Sequence, residues 1–553
     1  MTKSLSGFSR QAFLAGLVLV LLFYYAGGFA QQSTAPARLE GSINLSSELY
    51  SSQGIDERRP HSAYRMVFAP TLVLFDQIRL PFELYLTSED RGFRQPFNQF
   101  GVNPQFGGWL TLHGGYFSER ISDLTFGDSR ILGGGVELTP GNIRVSFLYG
   151  MIQRSIDPDT LNGFRGSYER WAWAAKVGYG AESDFHVHLN LMRAWDDSSS
   201  LANTLPDVTP LENIAASVQL GVPLIGRAVF LSGEVAVSAL TNNTRSAELA
   251  DVPASVSNVF TPRTSSQVDG AATASLMIIP SNVWSLQLSG RYVGPGYVTL
   301  GYVQLPNDVL DGTIAPTFRL FENKLTLRGS LGLRYNNLRD SRLATTKRII
   351  GNLGVSLQPA PEWGVDLQYS NYGMQSNPRN DTLRIDNISQ SFTVSPRYTF
   401  QAFGATSTAF MSYSLQSFTD FNTVTGALSD NKTNTGVASW INAWPSTLTS
   451  TTSVMYTDAA TQILETIVRS INETIGYSFF DNKLSTSLTV GYTEVRTTGD
   501  DGQVTGRLTF GYSPGTWGTF TMSLSTSQYN FDPSSASASY REHMGSLQYS
   551  YSF

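Results

Sequence analysis

The chain of 553 residues has no cysteine, few charged residues and only five histidines. The lack of cysteine excludes disulfide frameworks, thiolate zinc sites and lipid anchors on an N-terminal cysteine. Only 15% of the residues are charged, against roughly 25% in soluble proteins, so a string of soluble domains is disfavoured. The 38 basic residues are outnumbered by 44 acidic ones, which speaks against nucleic-acid binding because that needs clustered positive charge.

Long apolar runs are absent after the N-terminal region. Lys3 and Arg10 precede an apolar run from Ala12 to Ala26, and small residues follow as far as Ala30. This is the pattern of a secretory signal peptide, and the run is short for a membrane-spanning helix. We predict that residues 1–30 are a signal cleaved after Ala30 and that residues 31–553 form a single domain. An uncleaved anchor is the alternative.

Alternation of apolar and polar residues is present throughout the rest of the chain. From Leu325 to Tyr335 every second residue is apolar or Gly, and Phe185 to Leu191 repeats the pattern, which is typical of strands with one apolar face. Twelve tight turns, one of them at Asn103-Pro104, separate thirteen connections that are mostly longer and polar. The pattern predicts an all-β, antiparallel structure of about 26 strands, with a range of 22–28.

The chain ends on a strand with an apolar or aromatic residue at every second position, namely Leu547, Tyr549, Tyr551 and Phe553. This ending resembles the assembly signal of bacterial outer-membrane β-barrels. The resemblance implies a transmembrane up-and-down barrel in the outer membrane of a diderm bacterium, with both termini in the periplasm. It also implies contact with outer-membrane lipid, lipopolysaccharide and the barrel-assembly machinery. The first strand begins near Leu39, soon after the predicted cleavage site, so we expect a porin-like barrel without a plug domain.

One segment, residues 97–138, combines glycines, aromatics and charges, and resembles the part of porins where a loop folds back into the lumen. Its charges could set a transverse field at a constriction, and an ordinary solvated external loop is the alternative. Three arginines on polar strand faces suggest a basic wall that favours anionic solutes, unless lumenal charges pair across strands. The candidate pore-lining residues are Glu119, Arg120, Asp123, Asp128, Arg130, Arg291, Arg328 and Arg334.

No enzymatic activity, metal or cofactor is expected from the sequence. Ser129 follows Gly127-Asp128 as in one hydrolase motif, but no histidine partner follows at the usual place. His186 and His188 share a strand face without a third metal ligand. The expected function is passive passage of small hydrophilic solutes. The alternative is a structural barrel that binds a secretion or surface-attachment complex through long loops such as 242–266 and 418–434.

Overall fold

The computed structural model describes residues 36–88, 99–158, 164–201, 207–250, 260–378, 384–422, 426–533 and 537–553. The predicted signal peptide, residues 1–30, lies outside the described residues. Among the residues described, none of the helical structure is long and apolar enough to cross a membrane.

The regular secondary structure of the described residues consists of strands apart from one helical turn, α1 (Gly426–Ser429). The strands are β1 (Ala37–Gln53), β2 (Ser62–Leu74), β3 (Ile78–Thr87), β4 (Gln99–Val102), β5 (Gln105–Phe106), β6 (Leu110–Ser118), β7 (Arg130–Leu138), β8 (Ile143–Gln153), β9 (Glu169–Tyr179), β10 (His186–Asp197), β11 (Glu212–Pro223), β12 (Val229–Thr241), β13 (Ser266–Ile278), β14 (Trp284–Val293), β15 (Val309–Leu320), β16 (Leu325–Asn336), β17 (Ala344–Ala360), β18 (Trp363–Pro378), β19 (Ile385–Ala402), β20 (Ala405–Asp420), β21 (Asn431–Ala443), β22 (Thr449–Thr461), β23 (Glu465–Phe479), β24 (Leu484–Arg496), β25 (Asp500–Tyr512), β26 (Thr519–Asn530) and β27 (Tyr540–Ser552).

Each strand pairs antiparallel with the next along the chain, and β1 pairs with β27 to close the barrel. Strands β4 and β5 both lie between β3 and β6, so they are two halves of one interrupted strand. The barrel therefore has 26 strands, which confirms the predicted fold class and strand number.

The tight turn predicted at Asn103-Pro104 is wrong. The strand is only interrupted there, because Pro104 has no N–H to donate to a neighbouring strand, and pairing resumes at Gln105. The chain reverses four residues later at Gly107 and Gly108, where the positive φ angles of 57° and 70° suit glycine.

Strand β10 shows why these sequences form a barrel wall. Along β10 buried and exposed residues alternate, with His186 and Asn190 on the buried face and Leu189 on the exposed one. The same arrangement, with large apolar side chains exposed, recurs around the sheet. In a closed barrel the exposed apolar face is the outer, lipid-facing surface and the polar face lines the lumen.

Four tight turns place an exposed phenylalanine in the left-handed region of the backbone. Phe75, Phe321, Phe403 and Phe480 have φ angles of 53–54° and exposed fractions of 69–81%. Non-glycine residues rarely adopt this conformation, and aromatic side chains are favoured at the edge of a bilayer. The turns thus form part of an aromatic girdle at one end of the barrel.

The first and last strands meet at this same end. Gly41 N–H donates to the Phe553 carbonyl at 2.8 Å, and Phe553 N–H donates to the Gly41 carbonyl at 3.0 Å. Phe553 also contacts the ring of Tyr551, with 5.7 Å between centroids. The C-terminal residue is therefore part of the seam that closes the barrel.

Two connections, residues 119–129 after β6 and residues 294–308 after β14, fold into the lumen and cover one side of its wall. Their apolar residues pack on inward-facing side chains of strands between β6 and β15. Strands β17 to β27 instead carry partly accessible hydroxyl pairs on the lumenal face, such as Ser395 with Ser412 and Thr474 with Thr489. Among the described residues, the lumen is thus packed on one side and polar on the other.

Candidate functional site

The 119–129 segment has one buried face and one charged face. Ile121, Leu124 and Phe126 are at most 1% exposed and pack toward the wall. Asp123 and Asp128 are exposed on the opposite side. Arg120 forms an ion pair with Asp123, and both side chains are more than half exposed. The segment thus brings three of the predicted pore-lining charges to the open side of the lumen.

The 294–308 segment holds the 119–129 segment in place by hydrogen bonds to the backbone of residues 119–129. Tyr297 Oη donates to the Leu124 carbonyl at 2.7 Å, and Gly127 N–H donates to the Gly301 carbonyl at 3.1 Å. The 294–308 segment is itself bound to the wall, because Leu300 N–H donates to Asn213 Oδ1 on β11 at 3.0 Å. The two segments form one hydrogen-bonded layer over the strands.

Beside this layer lies a cavity of about 360 Å³ that is lined by Asp123 and by residues of β11 to β15. Strand register places Glu234, Thr273, Arg291 and Asp311 side by side on successive strands. Glu234 is 3% exposed, and its Oε2 accepts a hydrogen bond from the Asp123 backbone N–H at 3.2 Å. The cavity is therefore lined by closely spaced charges of both signs.

Asp311 lies between two of the predicted wall arginines and pairs with both. Its carboxylate is 2.9 Å from Arg291 Nη2 and 2.6 Å from Arg334 Nε. The positive charge of the predicted basic wall is thus partly neutralised. This is the alternative given above, in which lumenal charges pair across strands. Arg348, which lies directly opposite Arg334 on β17, extends the row by a further positive charge.

The remaining candidates lie apart from this cavity. Arg130 is 2.9 Å from Glu83 on β3. Arg328 is exposed on the same face of β16 as Arg334, but it does not line the cavity. The structure thus brings Asp123, Arg291 and Arg334 to one place, and it leaves Arg130 and Arg328 elsewhere on the wall.

A second polar cluster lies at the root of the 119–129 segment and consists of His113 on β6, Glu119 and Glu137 on β7. One potential metal-ligand atom from each of the three residues lies within 4.8 Å of the others. Burial, together with a hydrogen bond and repulsion from the Glu137 carboxylate, raises the pKa of Glu119 to about 8. Lys176 on β9 lies near both carboxylates and is 3.4 Å from Glu182.

The histidine pair singled out in the sequence belongs to the wall. The rings of His186 and His188 are stacked with 4.9 Å between centroids, and both residues are at most 2% exposed. His186 Nδ1 contacts the Asp184 carbonyl at 2.9 Å, and His188 Nε2 contacts the Gly180 carbonyl at 3.1 Å. Gly221 leaves the space for His186, since a Cβ there would lie 2.1 Å from the ring.

Sequence reasoning missed Asp311, Arg348 and the whole 294–308 segment. A usable signal for the segment existed, because Tyr297, Val298 and Leu300 are unusually apolar for an external loop. His113 was included in the glycine-rich segment but was given no role. Its proximity to Glu137 depends on the pairing of Thr111 with Glu137 across β6 and β7, which the sequence does not reveal.

No known family model matches the chain, and no curated protein is significantly similar to it. Solved structures that resemble it include Acinetobacter baumannii OccAB2, at 11% identity and a TM-score of 0.30, with 63% of this chain and 93% of that chain covered. The P pilus usher (PapC) translocation pore matches at 11% identity and a TM-score of 0.27, with 93% and 99% covered. The siderophore receptor PirA from Pseudomonas aeruginosa matches at 11% identity and a TM-score of 0.39, with 93% and 80% covered. Similarities this low carry no argument about family or function.

Proposed function

We propose that the protein is an outer-membrane channel for passive passage of small hydrophilic solutes. The observation that carries the proposal is the asymmetric lumen. The inner layer of residues 119–129 and 294–308 covers the wall between β6 and β15, while the hydroxyl-lined faces of β17 to β27 remain accessible. A barrel of this strand number is too wide for its wall side chains alone to fill.

The charges around the cavity suit a filter for polar solutes. Asp123, Glu234 and Asp311 lie close to Arg291 and Arg334, so a solute that passes the inner layer meets both signs of charge over a short distance. Such a transverse field orients dipolar molecules and slows apolar ones. The proposed orientation has the tight turns and both ends of the barrel domain in the periplasm, and the long connections outside.

Uptake into liposomes tests the proposal directly. Folded protein in liposomes is expected to admit monosaccharides and disaccharides, with rates that fall as solute size rises. Protein-free liposomes and liposomes with heat-denatured protein are the controls. If folded barrels admit no solute of any size, the channel proposal is wrong and the alternative of an interaction barrel is favoured.

A further inference from the structure

From the geometry at the root of the 119–129 segment, we propose that His113, Glu119 and Glu137 bind a divalent transition-metal ion such as Zn²⁺. The site is separate from the charged cavity and does not depend on the protein being a channel. One imidazole nitrogen and two carboxylate oxygens are a common ligand set for such ions, and a fourth position stays open to water from the lumen.

The imidazole of His113 is held in the orientation and tautomer that metal binding needs. Its Nδ1 lies 2.9 Å from Asn103 Oδ1. An amide oxygen only accepts hydrogen bonds, so Nδ1 carries a proton, and in the neutral imidazole Nε2 then keeps its lone pair for a metal ion. In protein metal sites the second ring nitrogen of a histidine ligand regularly makes such a bond. The interruption of the strand at Asn103-Pro104 thus supplies the partner that fixes this ring.

The free nitrogen of His113 is buried and has no hydrogen-bond partner. The side chain is 9% exposed, and Nε2 lies 3.9 Å from Glu137 Oε2. This distance is too long for a hydrogen bond. A buried polar atom without a partner costs free energy, and a metal ion between Nε2 and the carboxylates would remove that cost.

Packing fixes the ring from its other side. Phe117 stacks on it with 4.8 Å between centroids, and Gly135 faces it from β7. A Cβ at Gly135 would lie 3.4 Å from His113 Cδ2 and 3.3 Å from Phe117 Cζ, so a larger residue would crowd both rings. The imidazole is therefore positioned before any ion binds.

The distances require only a small adjustment of side chains. Around a tetrahedral ion with bonds near 2.0–2.2 Å, ligand atoms lie about 3.4 Å apart. The ligand atoms here lie within 4.8 Å of one another, so rotations that move the carboxylates by about 1 Å close the site. The Lys176 ammonium acts electrostatically on both glutamates, and it already pairs with Glu182.

A bound ion would connect β6, β7 and the first residue of the inward segment. Glu119 immediately follows the last residue of β6, Ser118, so its coordination would fix the point where the chain turns into the lumen. The ion would thus limit movement of the 119–129 segment at its N-terminal end.

Metal titration of the folded, chelator-treated barrel tests the site. Calorimetry with Zn²⁺ is expected to show one equivalent bound, and Co²⁺ is expected to give the intense visible absorption of a four-coordinate site. His113→Ala and Glu137→Gln should each weaken Zn²⁺ binding by more than about 100-fold, since even second-shell partners cost 10–100-fold. His61→Ala removes an exposed loop histidine and should leave the affinity unchanged.

The role of Asn103 is tested by a matched pair of variants. Asn103→Leu removes the acceptor and should weaken Zn²⁺ binding by about 10-fold or more, while Asn103→Asp keeps an oxygen and should restore it. Each variant is checked for the gel shift of a folded barrel before titration. The proposal is overturned if folded wild-type protein binds Zn²⁺ no more tightly than folded His113→Ala. Solute uptake is not measured here, so failure of the metal site leaves the channel proposal standing.

Discussion

At the scale of single residues, Asp311 links the two arginines beside the cavity. It pairs with Arg291 and Arg334 at once, so one carboxylate partly offsets the charge of two guanidinium groups. The sequence predicted both arginines by strand parity but not their partner, because pairing across three strands depends on register. Strand β15 also contains Gly312 and Pro316, which weaken the alternation of apolar and polar residues along it.

Neutralising Asp311 should make the proposed channel more selective for anions. In Asp311→Asn the two arginines lose their common partner, so the local potential becomes more positive. The measurement is the reversal potential in a salt gradient across a bilayer. Asp366→Asn makes the same charge change on the lumenal face of β18, away from the arginines, and should shift the potential less. An equal shift in both variants would contradict the role given to Asp311.

At the scale of elements, the strands were predictable and the inward segments only partly so. Alternation predicted the strands because each has one apolar face. The alternation of apolar and polar residues is weak between Thr466 and Glu473. Glu473 takes an outward position between Ile471 and Ile475, where it accepts a hydrogen bond from Thr452 at 2.5 Å. The 294–308 segment was missed since its contacts, such as Tyr297 with Leu124, join residues 173 positions apart.

Phe126→Ala should loosen the 119–129 segment without unfolding the barrel. Phe126 is fully buried between the segment and the wall, and removal of a buried phenyl ring costs about 3–5 kcal/mol. Hydrogen exchange should show faster exchange at residues 119–129 and little change in β17 to β27. Phe421→Ala, at an exposed loop position, is the control. Unchanged exchange in the segment would argue against its packing as described.

At the scale of the whole molecule, the last residue of the chain takes part in the seam that closes the barrel. Deleting Phe553 removes both backbone hydrogen bonds to Gly41 and the contact with Tyr551. We therefore expect less protein to assemble in the membrane, as judged by the fraction that shows the gel shift of a folded barrel. Ser552→Ala keeps these contacts and should assemble normally. Normal assembly without Phe553 would contradict the predicted assembly signal.

The central claim is that the folded barrel conducts through a lumen that is packed on one side and polar on the other. Single-channel recording of the purified protein in planar bilayers tests this claim most directly. We expect stepwise, long-lived openings whose conductance rises with salt concentration. A protein that is demonstrably folded and inserted in the bilayer but gives no conductance steps would contradict the claim.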